Sequence, residues 1–315
     1  FSTGTLRTTS AVMQSFDIDF EKNQIYYSQL NNNYRLYISW SEPNATQHKG
    51  VMQLHYFGHG SNFTIEQSGD DRYIWIGNYA SKNAKGEYWG DQVVSRVPIR
   101  DGATVKPWDC TDNYYFGETN ISVGVDFAND RLSVLGITSG VMRTYSLSAL
   151  QALPVETISL EPMTYGGDKA PDELTTATFE VQARNCTRVK PLGQFQIKRE
   201  SGVSWQGFDV CGDVIYQMQG NGNNNDGVSA SNGYLLIFKI DGTPLLARTR
   251  VGALLDLKKL SDMGITDTGY MEPEGVKIRN GAMYCGFASK NSANVRRGTL
   301  FKYSPVQSAV MNKKQ

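Results

Sequence analysis

The stretch Met13-Gln-Ser-Phe-Asp-Ile-Asp19 decides the fold, because four later stretches repeat its pattern. They are Gly60-Ser-Asn-Phe-Thr-Ile-Glu66, Ile121-Ser-Val-Gly-Val-Asp126, Trp205-Gln-Gly-Phe-Asp-Val210 and Pro273-Glu-Gly-Val-Lys-Ile278. Each has a small residue, an apolar residue, a variable one and a second apolar one. The small residues are Ser15, Asn62, Ser122, Gly207 and Gly275. The apolar pairs are Phe16/Ile18, Phe63/Ile65, Val123/Val125, Phe208/Val210 and Val276/Ile278. A degenerate repeat of this kind is the signature of a repeat architecture.

A turn and a second strand-like run follow each copy. The turns are Glu21-Lys-Asn23, Gly69-Asp-Asp71, Asn129-Asp130, Gly212-Asp213 and Asn280-Gly281. Turn residues between alternating runs mark hairpins. A third run closes each unit: 35–38, 93–99, 141–147, 234–240 and 299–303. Meanders repeated five times, without heptads, predict an all-β fold, a five-bladed β-propeller with blades of three to four antiparallel strands. The explicit repeat favours this over a β-sandwich. Small residues are expected where innermost strands converge on the axis. The whole chain, 1–315, reads as one propeller domain. Residues 148–202 form an insertion, read as extra strands (177–183 and 194–198) or as a degenerate blade.

Composition narrows the functions. The formal net charge of zero argues against nucleic acid, whose phosphates need a basic surplus. No apolar run approaches the roughly 18 residues of a membrane span, so no membrane insertion is expected. The chain starts at Phe1 without Met, as a processed or trimmed piece would, so a missing leader carries no weight. Cys110, Cys186, Cys211 and Cys285 form no C-x-x-C pair, which argues against zinc; their disulfide state is left open. Asn221-Gly-Asn-Asn-Asn-Asp-Gly227 is a poor echo of a calcium loop. Asp226 stands where the glycine belongs, and no bidentate Glu follows, so it reads as a hairpin tip and no metal or cofactor is expected. There is no G-x-S-x-G elbow, P-loop, Rossmann fingerprint or H-E-x-x-H.

Gln14, His59, Asn120, Gln206 and Glu274 stand at or just before the five innermost strands. In a propeller they converge on one mouth of the axis, as a pocket for a polyhydroxyl ligand or simply as satisfied strand ends. Asn62 and Asp209 are added as ligand-binding candidates, with Asp17 sharing the variable position; for both aspartates the structural alternative is a hydrogen bond to a neighbouring blade. Seventeen Tyr and five Trp supply rings on which sugars can stack, although most belong to blade packing. His59, flanked by glycines, is read as an acid or base near neutrality. Glu272 and Glu274 alternate on an extended segment stiffened by Pro273, and two carboxyls at one mouth suit glycoside hydrolysis. If the protein is an enzyme, His59, Glu272 and Glu274 are its catalytic candidates.

Met13 to Asp19, Gly58-His-Gly-Ser-Asn-Phe-Thr-Ile-Glu66, and the run from Glu272-Pro-Glu-Gly-Val276 through Met283-Tyr-Cys-Gly-Phe-Ala-Ser289 to Arg296-Arg-Gly-Thr-Leu-Phe-Lys-Tyr303 together carry a resemblance. They resemble the propeller domain shared by receptor-binding proteins of small staphylococcal phages, TagC-like teichoic-acid-associated proteins and helveticin J-type bacteriocins. The resemblance spans Val12 to Tyr303 and is strongest in the second and last units. It implies a five-bladed propeller, extracellular or on a virion surface, that meets a bacterial surface polysaccharide or teichoic-acid-like glycan. The resulting expectation is a glycan-binding adhesin domain of a phage tail, any oligomerisation residing in regions outside this chain. The alternatives are a glycoside hydrolase or polysaccharide lyase on the same scaffold, and a protein-interaction propeller.

Overall fold

The computed structural model describes residues 2–3, 6–8, 11–32, 34–45, 47–166, 174–222 and 228–303. Five sheets stand around an axis. The first blade runs outward from Met13–Asp19 through Gln24–Asn31 and Arg35–Ser41 to Gly50–His55, with Thr104–Val105 added in parallel at its edge. The second runs from Phe63–Ser68 through Asp71–Asn78 and Val93–Pro98 to Asn113–Tyr115. The third is Ile121–Asp126, Arg131–Gly136, Val141–Ser146 and Gly193–Gln196. The fourth is Ser204–Cys211, Val214–Gly220, Tyr234–Lys239 and Pro244–Arg250. The fifth is Tyr270–Arg279, Ala282–Lys290 and Arg296–Tyr303. The five repeated phrases are the five innermost strands, and these touch one another in ring order. The all-β, five-bladed expectation therefore holds.

Residues 148–202 form no sixth blade among the described residues. Gly193–Gln196 is the outer strand of the third blade. The run expected at 177–183 divides instead. Its first part ends the hairpin strand Leu174–Ala177, which pairs with Met163–Gly166. Its second part joins Glu180–Asn185, which lies parallel to Asn113–Tyr115 and widens the second blade. Arg184 anchors that addition by an ion pair to Asp112 at 2.6 Å. The tip 223–227 of the Asn-rich loop lies outside the described residues.

The repeat is explained by strand alternation. Side chains of a strand point to opposite faces with period two. The apolar pair of each phrase faces the preceding blade. Phe63 and Ile65 pack with Ile38 and Leu54 of the first blade. Val123 and Val125 pack with Trp75 and Val94 of the second, and Phe208 and Val210 with Leu135 and Met142 of the third. Val276 and Ile278 pack with Tyr216 and Met218 of the fourth. Phe16 and Ile18 close the ring against Tyr284 and Leu300 of the fifth. Each blade junction thus carries its own apolar cluster.

The other face of the phrase looks toward the following blade, and here the variable residue acts. An innermost strand has an unpaired edge, and its buried N–H groups need acceptors. Asp17 Oδ2 accepts from Ile65 N at 2.8 Å. Thr64 Oγ1 accepts from Val125 N at 3.1 Å. Asp209 Oδ2 accepts from Ile278 N at 2.7 Å. In each case one blade's variable residue caps the second apolar residue of the next. Gly124 makes no such bond, because a Cβ there would lie 3.0 Å from Phe208. Lys277 reaches across the axis and donates to Phe63 O at 2.6 Å and Asn62 Oδ1 at 3.3 Å. Small residues are required where strands converge: a Cβ on Gly207 would lie 3.0 Å from the Gly275 Cα.

The buried charges balance locally. Arg279 bonds Asp209 at 2.7 Å and Asp17 at 2.8 Å, joining the fourth, fifth and first blades. Burial pushes the Asp209 carboxyl up and the Lys277 ammonium down. Arg279 is held well above its ordinary range by Asp17 and Asp209, against the opposing effect of burial. The ring closes at its rim as well: Ser2 bridges to Thr299, and Thr3 N donates to Gly298 O at 2.9 Å. Removing one partner of a buried ion pair costs about 3–5 kcal/mol, because the remaining charge is stranded. Arg279→Leu is therefore expected to lose at least about 3 kcal/mol in urea unfolding. A loss under about 1 kcal/mol, the value of a surface pair, contradicts this role.

Candidate functional site

At the mouth where the innermost strands begin, three of them carry a β-bulge. The first blade skips register between Met13 and Ser15, the fourth between Trp205 and Phe208, and the fifth between Pro273 and Gly275. The residues left without a cross-strand partner include Gln14, Gln206 and Glu274. A bulge re-aims a side chain by breaking the pleat. All three of these residues line one cavity of about 300 Å³.

The rest of the wall comes from loops, a short hairpin and strand ends. His59 and Ser61 arrive on the turn before the second blade, Trp89 on its short hairpin, and Ile137 from the third blade. Arg199 and Ser204 with Trp205 come from the approach to the fourth blade, and Glu272 from the start of the fifth. The His59 ring lies flat on the Trp89 indole, with centroids 4.2 Å apart and planes at 8°. The chain thus supplies two indoles, an imidazole, two amides, two carboxyls and a guanidinium to one concavity.

The two carboxyls differ. Glu272 Oε2 accepts from Tyr270 Oη at 2.6 Å. Glu274 is 3% exposed, and its Oε1 is buried with no hydrogen-bond partner. Burial first, and the neighbouring Glu272 second, raise its carboxyl well above the ordinary range. His59 Nδ1 is also buried and unpartnered. Burial pushes the His59 imidazole down to about 4, against the opposing pull of Glu87. The ring is then neutral near pH 7, where it stacks on Trp89 and can accept or donate one hydrogen bond.

Of the sequence candidates, Gln14, His59, Gln206, Glu272 and Glu274 converge on the cavity. Asn62, Asn120 and Asp209 do not. Asn62 is buried and donates to Val123 O at 2.7 Å, stitching the second blade to the third. Asp209 is sealed below, on Ile278 N and Arg279. For Asp17 and Asp209 the bond to a neighbouring blade is what the structure contains. Asn120 sits in a turn with φ 61°, its backbone bonded to Asp91 O and Ile137 N. Sequence reasoning missed Trp89, Trp205 and Arg199 as site residues. Trp205 opens a copy of the phrase, next to Gln206, so its place at the mouth could have been inferred. Trp89 and Arg199 lie outside the repeat and carry no such signal.

The opposite mouth holds a wider cavity of about 680 Å³, lined by the strand ends Ile18, Ile65, Val125, Val210 and Ile278 with Phe20 and Phe127. Among the described residues no three His, Cys, Asp or Glu side chains gather as a metal site. All four cysteines are free thiols. No helix among the described residues is long and apolar enough to cross a membrane.

Residues 12–105 match the family of the phage 5-bladed beta propeller receptor binding platform domain. This bears out the resemblance to phage receptor-binding propellers read from the sequence. Among solved structures, the tail fibre of Staphylococcus aureus phage P68 superposes with a TM-score of 0.62 at 15% identity, over 98% of this chain. The chain spans about half, 52%, of the length of that tail fibre. A thermostable family-43 glycoside hydrolase aligns with a TM-score of 0.40 at 11% identity, over 95% of this chain and 92% of its own. The periplasmic gluconolactonase of Pseudomonas aeruginosa aligns at 0.37 and 11%, over 93% and 85%. Scores of that size carry no argument about activity. No curated protein matches the chain.

The state of Glu274 has a thermodynamic consequence. Its folded carboxyl lies above the unfolded value of 4.5, so its contribution is favourable below that pH. The contribution is lost as pH rises through the folded value. Facing it are Glu272, Tyr270 and Gln14, with His59 from the second blade and Arg199 and Gln206 from the fourth. Glu274→Gln removes the loss. The melting temperature of the variant minus that of wild type is therefore expected to grow as pH rises from 5 to 9. A difference that stays flat across that range contradicts the buried-carboxyl account.

Proposed function

We propose that this phage receptor-binding propeller recognises a bacterial surface polysaccharide, and that the contact is made at the mouth where Gln14, Gln206 and Glu274 bulge inward. The observation that carries the reading is a cavity combining two indoles with amide and carboxyl groups, two of whose buried polar atoms lack partners. Indole faces stack on the C–H faces of pyranoses, and fixed amides and carboxyls bond the hydroxyls. Buried unpartnered donors and acceptors cost free energy in the free protein, and a polar ligand that pairs them recovers it. The likeness to a phage tail fibre supports a place on the virion, outside the bacterial cell.

Specificity of this kind belongs to the site and not to the fold. Removing a buried aromatic anchor from a binding site costs about 2 kcal/mol, roughly 30-fold in Kd. Trp89→Ala and Trp205→Ala are each expected to weaken binding to intact host cells by about that factor. Cells stripped of surface polysaccharide should bind neither wild type nor variants. Equal binding to stripped and intact cells overturns the reading.

One observation favours a second reading, glycan cleavage. Glycoside hydrolysis uses one protonated and one ionised carboxyl. In this cavity Glu274 is raised by burial while Glu272 is bonded to Tyr270. Incubation of wild type with purified host polysaccharide decides between them. Release of oligosaccharides that Glu274→Gln abolishes establishes cleavage; tight binding without products establishes recognition alone.

A further inference from the structure

The binding mouth has a charge pattern that a neutral sugar does not use. Glu272 and Glu274 lie two residues apart on one strand and line one cavity. Glu274 is 3% exposed, and its Oε1 has no partner. The cation at the cavity, Arg199, is an exposed residue of the rim, where water and salt screen it. Deeper in the channel Asp17, Asp19 and Asp209 each have a cationic partner. Asp17 and Asp209 share Arg279, and Asp19 pairs with Arg72 at 2.5 Å. Glu274 has no such cation, and neither has the buried Asp91; of the two, Glu274 lines the cavity walled by Trp89 and Trp205.

We infer that this mouth selects a ligand carrying an ammonium group, an amino sugar within the surface glycan, seated between the Glu272 and Glu274 carboxyls and the rings of Trp89 and Trp205. The inference rests on the glycan-binding reading and deepens it. An ammonium donates three hydrogen bonds and accepts none, which suits two carboxyls. Indole rings attract cations through their quadrupole, most strongly among the aromatic side chains. A metal ion fits less well: among the described residues Glu272, Glu274 and His59 do not gather closely enough to hold one.

The test uses the intact chain, with a chito-oligosaccharide tetramer bearing free amines and the same tetramer fully N-acetylated. Calorimetry at pH 6 in phosphate reads the affinity for each. The expected result is binding of the free-amine tetramer at least tenfold tighter than the acetylated one. Glu274→Gln and Glu272→Gln should each weaken the amine preference. Equal affinity for the two tetramers, or a preference for the acetylated one, overturns the ammonium inference and leaves glycan recognition standing. Binding of neither tetramer also overturns it. Glycan recognition is judged separately, on native host polysaccharide: failure to bind that too would remove the reading beneath it.

Discussion

Everything in this molecule depends on the unpaired edge of an innermost strand. Five such edges meet at the axis, where water is scarce and each backbone N–H needs an acceptor. In three of the five blades the variable residue of the phrase meets this need. Asp17, Thr64 and Asp209 each cap an N–H of the next blade. Gly124 yields its place to Phe208, and Lys277 crosses to the carbonyl of Phe63. Because side chains alternate, the same strand that offers a cap to the following blade must offer apolar residues to the preceding one. Adjacent blades are therefore joined by an apolar cluster, and most also by a polar stitch. Arg279 then holds the two acidic caps in one buried ion network.

The mouth is the place where that rule is suspended. A strand in perfect register sends residues alternately to its two neighbours and has none to spare for a ligand. The bulges at Gln14, Gln206 and Glu274 each insert a residue that answers to neither face. That freedom has an energetic counterpart. Glu274 is buried without a partner for Oε1, and His59 without one for Nδ1. Trp205 opens the fourth phrase, whereas Trp89 comes from outside the strand repeat, on a short hairpin where sequence can change without disturbing the ring of blades.

This division sets what could be read from the sequence. The five phrases were legible because packing imposes small and apolar residue types at fixed offsets, whatever else a blade contains. The start of the phrase was legible as a mouth for the same geometric reason, and it gathered Gln14, Gln206 and Glu274 correctly in space. Asn62 and Asp209 were misplaced as ligand contacts because they share the strand with these residues but sit in register, so their side chains serve the next blade. A bulge shifts a residue by one position and leaves no mark in composition. The strands within residues 148–202 were uncertain for another reason. They widen the second and third blades at their outer edges, where no axis imposes a repeat. Trp89 and Arg199 stand on non-repeating segments and became visible only when the loops were brought together in space.

The central proposal is that the bulged mouth, and not the wider cavity at the opposite end of the axis, is where a host glycan binds. The most direct measurement is a crystal structure of the chain soaked with an oligosaccharide cut from host surface polysaccharide. The account predicts electron density against Trp89 and Trp205, with a hydrogen bond to Glu274. Density in the opposite cavity, beside Phe20 and Phe127, with the bulged mouth empty, would contradict it.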